Sequence, residues 1–231
     1  MFNLNMIYRA NRKLKRIIVK SVGYFTGVNS KKYWDHRFSS NWEIQNGRTQ
    51  STLFAAGFSL TNFARSIKPS SILDFGCGLA DSMPVLKMAY PEASLYFYDF
   101  SSVAMDMASL NYGSISKRTE LNDQRKFELV YCSNVIEHIT DENLVVFLND
   151  LISKSSKYVV IQAPFQEYLE DGSKISSTNK TKETEHERTI DLDMLEYLKK
   201  EFPSFNWSFE LKKIPIAWDK GEQLFLIGVQ S

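Results

Sequence analysis

The sequence predicts a doubly wound α/β fold: a mostly parallel sheet with one antiparallel strand, and helices on both faces. Three observations carry this. Between residues 71 and 162, short apolar runs alternate with longer segments of helical period. Residues 206–214 and 222–230 read as two strands joined by a short interval, which suits a closing hairpin. Residues 72–81, Ile-Leu-Asp-Phe-Gly-Cys-Gly-Leu-Ala-Asp, run from an apolar strand straight into a Gly-x-Gly turn, with Ala80 able to open a helix.

Taken in order, Met6 to Phe25 places Ile7, Leu14, Ile18, Val22 and Phe25 on one helical face. Arg9, Arg12, Lys13, Arg16 and Lys20 crowd the other. This basic amphipathic segment, residues 1–28, is set apart from a domain over residues 29–231. Ser30 to Phe38 and Thr49 to Ile67 follow, the second read as one amphipathic helix that ends ahead of Pro69. The core then reads as strand 71–75, helix 79–90, strand 94–98, helix 101–112 and a short polar strand near 114–118. Strand 128–132, helix 141–154 and strand 157–162 complete the parallel part. Residues 166–190 are polar and too long for an ordinary connection, which suits a lid or substrate loop before a helix at 191–201.

Composition bounds the class. The 231 residues are 43% hydrophobic, enough for a substantial core. Net charge is +1, yet residues 1–34 hold eight Lys or Arg and no acid, so the remainder carries 20 basic against 27 acidic side chains. The acidic core disfavours a broad phosphate-binding face, and nucleic acid is not an expected partner. Two cysteines, Cys77 and Cys132, give no disulfide framework and suit a reducing compartment. No apolar run reaches membrane-spanning length, and no secretory signal is present, so a cytoplasmic location is expected. The basic segment suits several roles: lying on the inner face of an anionic membrane, docking on the protein's own core or a partner, contacting RNA phosphates, or acting as a mitochondrial transit peptide.

The acid inside the first strand points to the ligand's charge. Gly76 and Gly78 let backbone approach a nucleoside-bearing cofactor, but Asp74 would repel a pyrophosphate and favour a cation. Ile72 to Gly78 resembles the first motif of class I S-adenosylmethionine-dependent methyltransferases, whose cofactor carries a sulfonium and an ammonium. Leu95 to Ser101 ends a strand in Asp99, 21 residues past Gly78, where a carboxylate can accept from a ribose diol. Phe127 to Ile139, with its Glu137-His138 pair, resembles the fourth-strand motif of the ubiquinone-biosynthesis-like branch, and Lys157 to Phe165 its fifth strand. These segments span residues 70–165. Lys32 to Phe38 resembles the Tyr-Trp-x-x-Arg-Phe stretch that precedes the core in that branch.

The resemblance implies a Rossmann-like, seven-stranded sheet and S-adenosyl-L-methionine as cofactor. It implies that Asp74, Gly76, Cys77, Gly78, Asp99 and Phe100 bind the cofactor, with Asp74 toward its positive charge and Asp99 on the ribose. Ser133 and Asn134 would touch the methionine part, and Arg37 or Arg48 would pair with its carboxylate. Asn122 or Asp123, after the third strand, would meet the adenine. No metal is expected. Methyl transfer to a hydroxyl needs a base, for which His138 and His186 are the candidates and His36 the weakest of the three histidines.

The absence of Asn/Asp-Pro-Pro-Tyr/Phe after the fourth strand, where Ser133-Asn134-Val135-Ile136 stands instead, argues against methylation of base amines. The expected acceptor is therefore a small-molecule, sugar or lipid-linked glycan hydroxyl, as in polysaccharide biosynthesis. A binding or scaffold protein that keeps the fold without the chemistry, an RNA methyltransferase and a nicotinamide oxidoreductase are the alternatives.

Overall fold

The computed structural model describes residues 29–40, 48–167, 169, 172–176, 186–214 and 221–231. The basic segment 1–28 lies outside them. The core is a seven-stranded sheet, ordered β3-β2-β1-β4-β5-β7-β6. Its strands are β1 (Ser71–Phe75), β2 (Ser94–Tyr98), β3 (Ser116–Arg118), β4 (Phe127–Ser133), β5 (Ser155–Pro164), β6 (Phe205–Lys213) and β7 (Glu222–Gln230). β1 to β5 run parallel, and β7 runs antiparallel to both neighbours, as expected. Strand order reverses between β1 and β4, which opens a crevice at their carboxyl ends.

Alternation along β1 sorts its side chains to two faces. Ile72 joins Leu95, Leu129 and Tyr131 beneath helices α2 (Arg48–Ser59), α4 (Met83–Ala89) and α5 (Ser102–Tyr112), which contribute Phe58, Met83 and Met105. Leu73 and Phe75 join Val130 and Ile161 on the other face, under α6 (Asp141–Ser153) and α7 (Leu192–Glu201). A fully buried Leu, Ile or Phe side chain stabilises by roughly 1.5–3 kcal/mol, so these two layers outweigh any single polar contact. Asp74 shares the Ile72 face, and its carboxylate turns under the loop that follows β1.

Two predicted helices are corrected. The one expected at 79–90 begins only at Met83, because Gly76, Gly78 and Ala80 all take positive φ (80°, 53° and 59°) and a right-handed helix cannot start there. The one expected at 49–67 divides into α2 and α3 (Asn62–Ser66). Thr61 breaks it by capping: its Oγ1 donates to Phe58 O at 2.8 Å and accepts from Ala64 N at 3.0 Å. Glu210 on β6 then accepts from the Asn62 and Phe63 N–H groups at 2.9 and 2.8 Å, placing a carboxylate on the new helix start. Ahead of the sheet, α1 (Lys31–Phe38) is capped by Ser30, which accepts from Tyr33 N at 3.2 Å.

The ends of the segment 166–190 are pinned to the body. Gln166 N donates to Ile190 O, Thr189 N to Ile175 O, and Arg188 Nη2 to Ile139 O at 2.7 Å and Asp141 Oδ1 at 2.8 Å. Residues 177–185, the middle of the proposed substrate loop, lie outside the described residues. Among the described residues no helix is long and apolar enough to cross a membrane.

Thr61→Ala and Glu210→Ala should each destabilise the fold by about 1 kcal/mol, the usual worth of a helix N-cap. Thermal melts of the two variants check this; a fall of roughly 2–4 °C is expected for a chain of this length.

Candidate active site at the carboxyl ends of the parallel strands

The loop after β1 is held by one carboxylate. Asp99, at the tip of β2, accepts from Gly78 N at 2.9 Å through Oδ2 and from Ser101 N at 2.9 Å through Oδ1. Gly76 N and Cys77 N both donate to Tyr98 O, at 2.8 and 3.0 Å. All three N–H groups of Gly76 to Gly78 are therefore spent inside the protein. The glycines are needed by the protein's own packing, since a Cβ on Gly76 would lie 2.6 Å from Val135 Cγ2 and one on Gly78 3.2 Å from Phe38 Cε1.

Asp74 lies beneath this loop, buried and hydrogen-bonded by the Ser82 hydroxyl. Burial pushes its carboxyl up to about 7, against the Ser82 bond, and the negative charge of Asp99 adds to the rise. Burial likewise pushes Asp99 up to about 6; the Ser101 and Gly78 amides oppose it, while Asp35 adds to it. The two acids share one pocket and repel each other, so the pocket favours positive charge.

Helix α1 covers this corner. Ser101 donates its hydroxyl to Asp35, and Lys31 Nζ reaches both Asp35 Oδ2 at 3.0 Å and Ser102 Oγ at 3.2 Å. Phe38 lies on Gly78, Trp34 stacks on Phe38 at 5.5 Å, and the guanidinium of Arg37 lies 5.0 Å over Trp34 while donating to the Tyr33 hydroxyl at 3.2 Å.

The exit of β4 forms the opposite wall. Asn134 takes φ of 54°, a left-handed conformation that Asn tolerates better than most residues, and its N–H donates to Gln162 O at 2.8 Å. Ser133 Oγ donates to Asn134 Oδ1 at 3.2 Å. A 3₁₀ turn, Ile136–His138, follows and carries one of the two candidate bases, His138. The His138 ring lies 5.1 Å from Trp34 and 4.8 Å from His186, edge to face in both cases. His186 Nδ1 bonds the Glu167 carboxylate. Glu137 is 1% exposed, and neither of its carboxylate oxygens has a hydrogen-bond partner. Its burial pushes the carboxyl up to about 7, with the nearby His186 opposing the rise.

The structure thus brings Asp74, Gly76, Gly78, Asp99, Ser133 and Asn134 to one crevice, and His138 and His186 to its far end. Phe100 is 46% exposed at the tip of β2. Cys77 is placed differently from the reading of it as a ligand contact: its side chain packs in the core, its N–H and carbonyl are spent on Tyr98 and Ala80, and burial raises its thiol well above the ordinary range. Asn122 is exposed on the loop after β3, while Asp123 closes that loop by accepting from Arg125 N at 2.9 Å. Glu167 and the Asp35–Ser101 contact carried no sequence signal, since each partner lies far along the chain. His36 stays on α1, and the side chain of Arg48 is outside the described residues.

An acid whose folded pKa is raised loses stability as pH climbs from its unfolded value toward its folded one. For Asp74 that window runs from about 4 to about 7. Asp74→Asn should therefore raise the melting temperature of the ligand-free protein by roughly 3–8 °C at pH 7.5, with the gain falling to well under half at about pH 5. Melting curves at the two pH values decide it.

Comparison with known proteins agrees with this geometry. Residues 48–207 match the family described as a methyltransferase domain. No curated protein sequence matches the chain. Among solved structures, the plantazolicin methyltransferase BpumL in complex with SAH superposes with a TM-score of 0.59 at 17% identity, covering 98% of this chain and 100% of that one. The magnesium protoporphyrin IX methyltransferase ChlM of Synechocystis PCC 6803 with bound SAH gives 0.57 at 16% identity, over 80% and 84%. An O-methyltransferase family protein of Burkholderia thailandensis gives 0.60 at 10% identity, over 88% and 61%. With the fold, the glycine loop and more than half the chain in agreement, the protein belongs to the methyltransferase-domain family.

Proposed function

We propose that this chain is an S-adenosyl-L-methionine-dependent methyltransferase that methylates a hydroxyl of a small molecule, sugar or lipid-linked glycan. The observation that carries the hydroxyl is the cluster of His138, His186, Glu137 and Glu167 at the end of the cofactor crevice, joined to it through Trp34. The residues fit the cofactor. Two buried, mutually repelling carboxylates want a cation, and a loop of positive-φ residues admits a nucleoside closely. When bound, the cofactor supplies an electrophilic methyl group on a sulfonium.

The chain's own residues then have distinct tasks. Asp99 keeps lone pairs for a ribose diol beyond the two it gives to Gly78 and Ser101, because a carboxylate has about four acceptor positions. Asp74 holds negative charge next to the cationic ligand. Ser133 and Asn134 line the methionine side. Trp34 and Phe38 exclude water from above, which strengthens every charge interaction beneath them. His186, with its Nδ1 on the Glu167 carboxylate and its ring against His138, serves as proton acceptor for the hydroxyl, a role in which carboxylate and imidazole cooperate. A lipid-linked acceptor would bring the enzyme to the inner face of a membrane, where the basic segment 1–28 suits anionic headgroups.

Isothermal titration with S-adenosylmethionine tests the reading. Wild type should bind, and Asp99→Ala should weaken binding at least about tenfold, as expected when charge-assisted hydrogen bonds are lost. Absence of binding by folded wild type would favour the scaffold alternative.

A further inference from the structure

We infer that Glu137, His138 and His186 form a binding site for one divalent first-row transition cation at the acceptor end of the crevice. One ligand atom from each lies within 4.8 Å of those of the other two. Donors on a common ion at about 2.0–2.2 Å stand roughly 3–3.5 Å apart in tetrahedral geometry, so side-chain rotations bring this set to coordination distance.

Two independent features support a ligand set over a chance cluster. Both oxygens of Glu137 are buried without a hydrogen-bond partner, an arrangement that costs free energy unless a cation or an unseen donor meets them. His186 has its Nδ1 on the Glu167 carboxylate, the outer-shell contact that fixes a ligating histidine's tautomer and makes Nε2 the coordinating atom.

The backbone also holds the set in place. His138 N donates to Val135 O within the 3₁₀ turn, and Glu187 N donates to Glu137 O at 2.6 Å, tying the segment of His186 to that of Glu137. Arg188 adds its bonds to Ile139 O and to Asp141. Two segments distant in sequence therefore meet through backbone bonds as well as through the side chains in question.

Two imidazoles and one carboxylate match zinc, manganese or ferrous iron better than calcium or magnesium, which prefer all-oxygen sets. Three protein ligands leave positions open, and with the cation bound His186 acts as a ligand in place of the proton-acceptor role it has without it. With Trp34 against His138, those positions face the crevice, where an acceptor hydroxyl or a pair of neighbouring oxygens can bind and lose a proton to solvent more readily. Docking of the acceptor rests on the methyltransferase reading; the cation site itself does not. Glu167 touches no cation in this arrangement and is a positioning residue.

Untagged full-length protein, freed of metal by chelator and dialysis, is titrated with Co²⁺ while its visible absorption is followed, and separately with Zn²⁺ by calorimetry. One saturable equivalent per chain is expected, with Zn²⁺ displacing Co²⁺. Glu137→Gln and His186→Ala should weaken uptake by more than tenfold, and Glu167→Gln by about 10–100-fold with an altered cobalt spectrum. His36→Asn should leave it unchanged. Glu167→Gln, at a partly exposed position, keeps the test valid if the buried variants fail to fold. Folded wild type that takes up no Co²⁺ or Zn²⁺ overturns the inference, as does uptake indifferent to all three cluster variants. If the metal fails while S-adenosylmethionine still binds, only this site falls; if the metal binds and the cofactor does not, only the functional reading does.

Discussion

One carboxylate braces the whole crevice. By accepting from both Gly78 and Ser101, Asp99 locks the loop after β1 to the start of α5. The cost is a buried charge, visible in the raised pKa of Asp99 and its neighbour Asp74. Active sites accept such costs because charge held in place before the ligand arrives needs no reorganisation when it does. The same brace turns the loop's amides inward. Its glycines then matter for the room they leave beside Val135 and Phe38, more than for donors aimed at a ligand.

From this brace a line of aromatic contacts runs across the mouth of the crevice. Phe38 rests on Gly78, Trp34 on Phe38, His138 on Trp34 and His186 on His138. Each link joins elements far apart in sequence: α1, the β1 loop, the β4 exit and the segment before α7. The placement of the histidine cluster therefore depends on α1 remaining docked, which in turn rests on Asp35 holding Ser101 and Lys31. The two buried carboxylates and the histidine cluster are in this way one mechanical unit.

The sheet was legible because apolar alternation and strand-end glycines are local signals, and β1, β2 and β7 lie where the pattern placed them. Asp74 and Asp99 were legible for the same reason: an acid at the end of an apolar run stands out. Two helices were misread, since neither the left-handed turn at Ala80 nor the cap that Thr61 builds shows in hydrophobic periodicity. The inward use of the Cys77 amide and carbonyl was invisible, as hydrogen-bond direction has no residue signature. The meeting of Glu137, Glu167 and His186 was equally hidden, because it is made by long-range folding of the segment before α7 onto the β4 exit.

The central physical claim is that Asp74 and Asp99, partly protonated in the empty pocket, ionise when a cationic ligand enters. Calorimetry of S-adenosylmethionine binding at pH 6.5, repeated in buffers of different ionisation enthalpy, measures this directly. Linkage predicts release of a sizeable fraction of one proton per ligand, reduced in Asp74→Asn. Binding with no proton release in any buffer would show that the paired acids do not respond to the ligand's charge, and would contradict the claim.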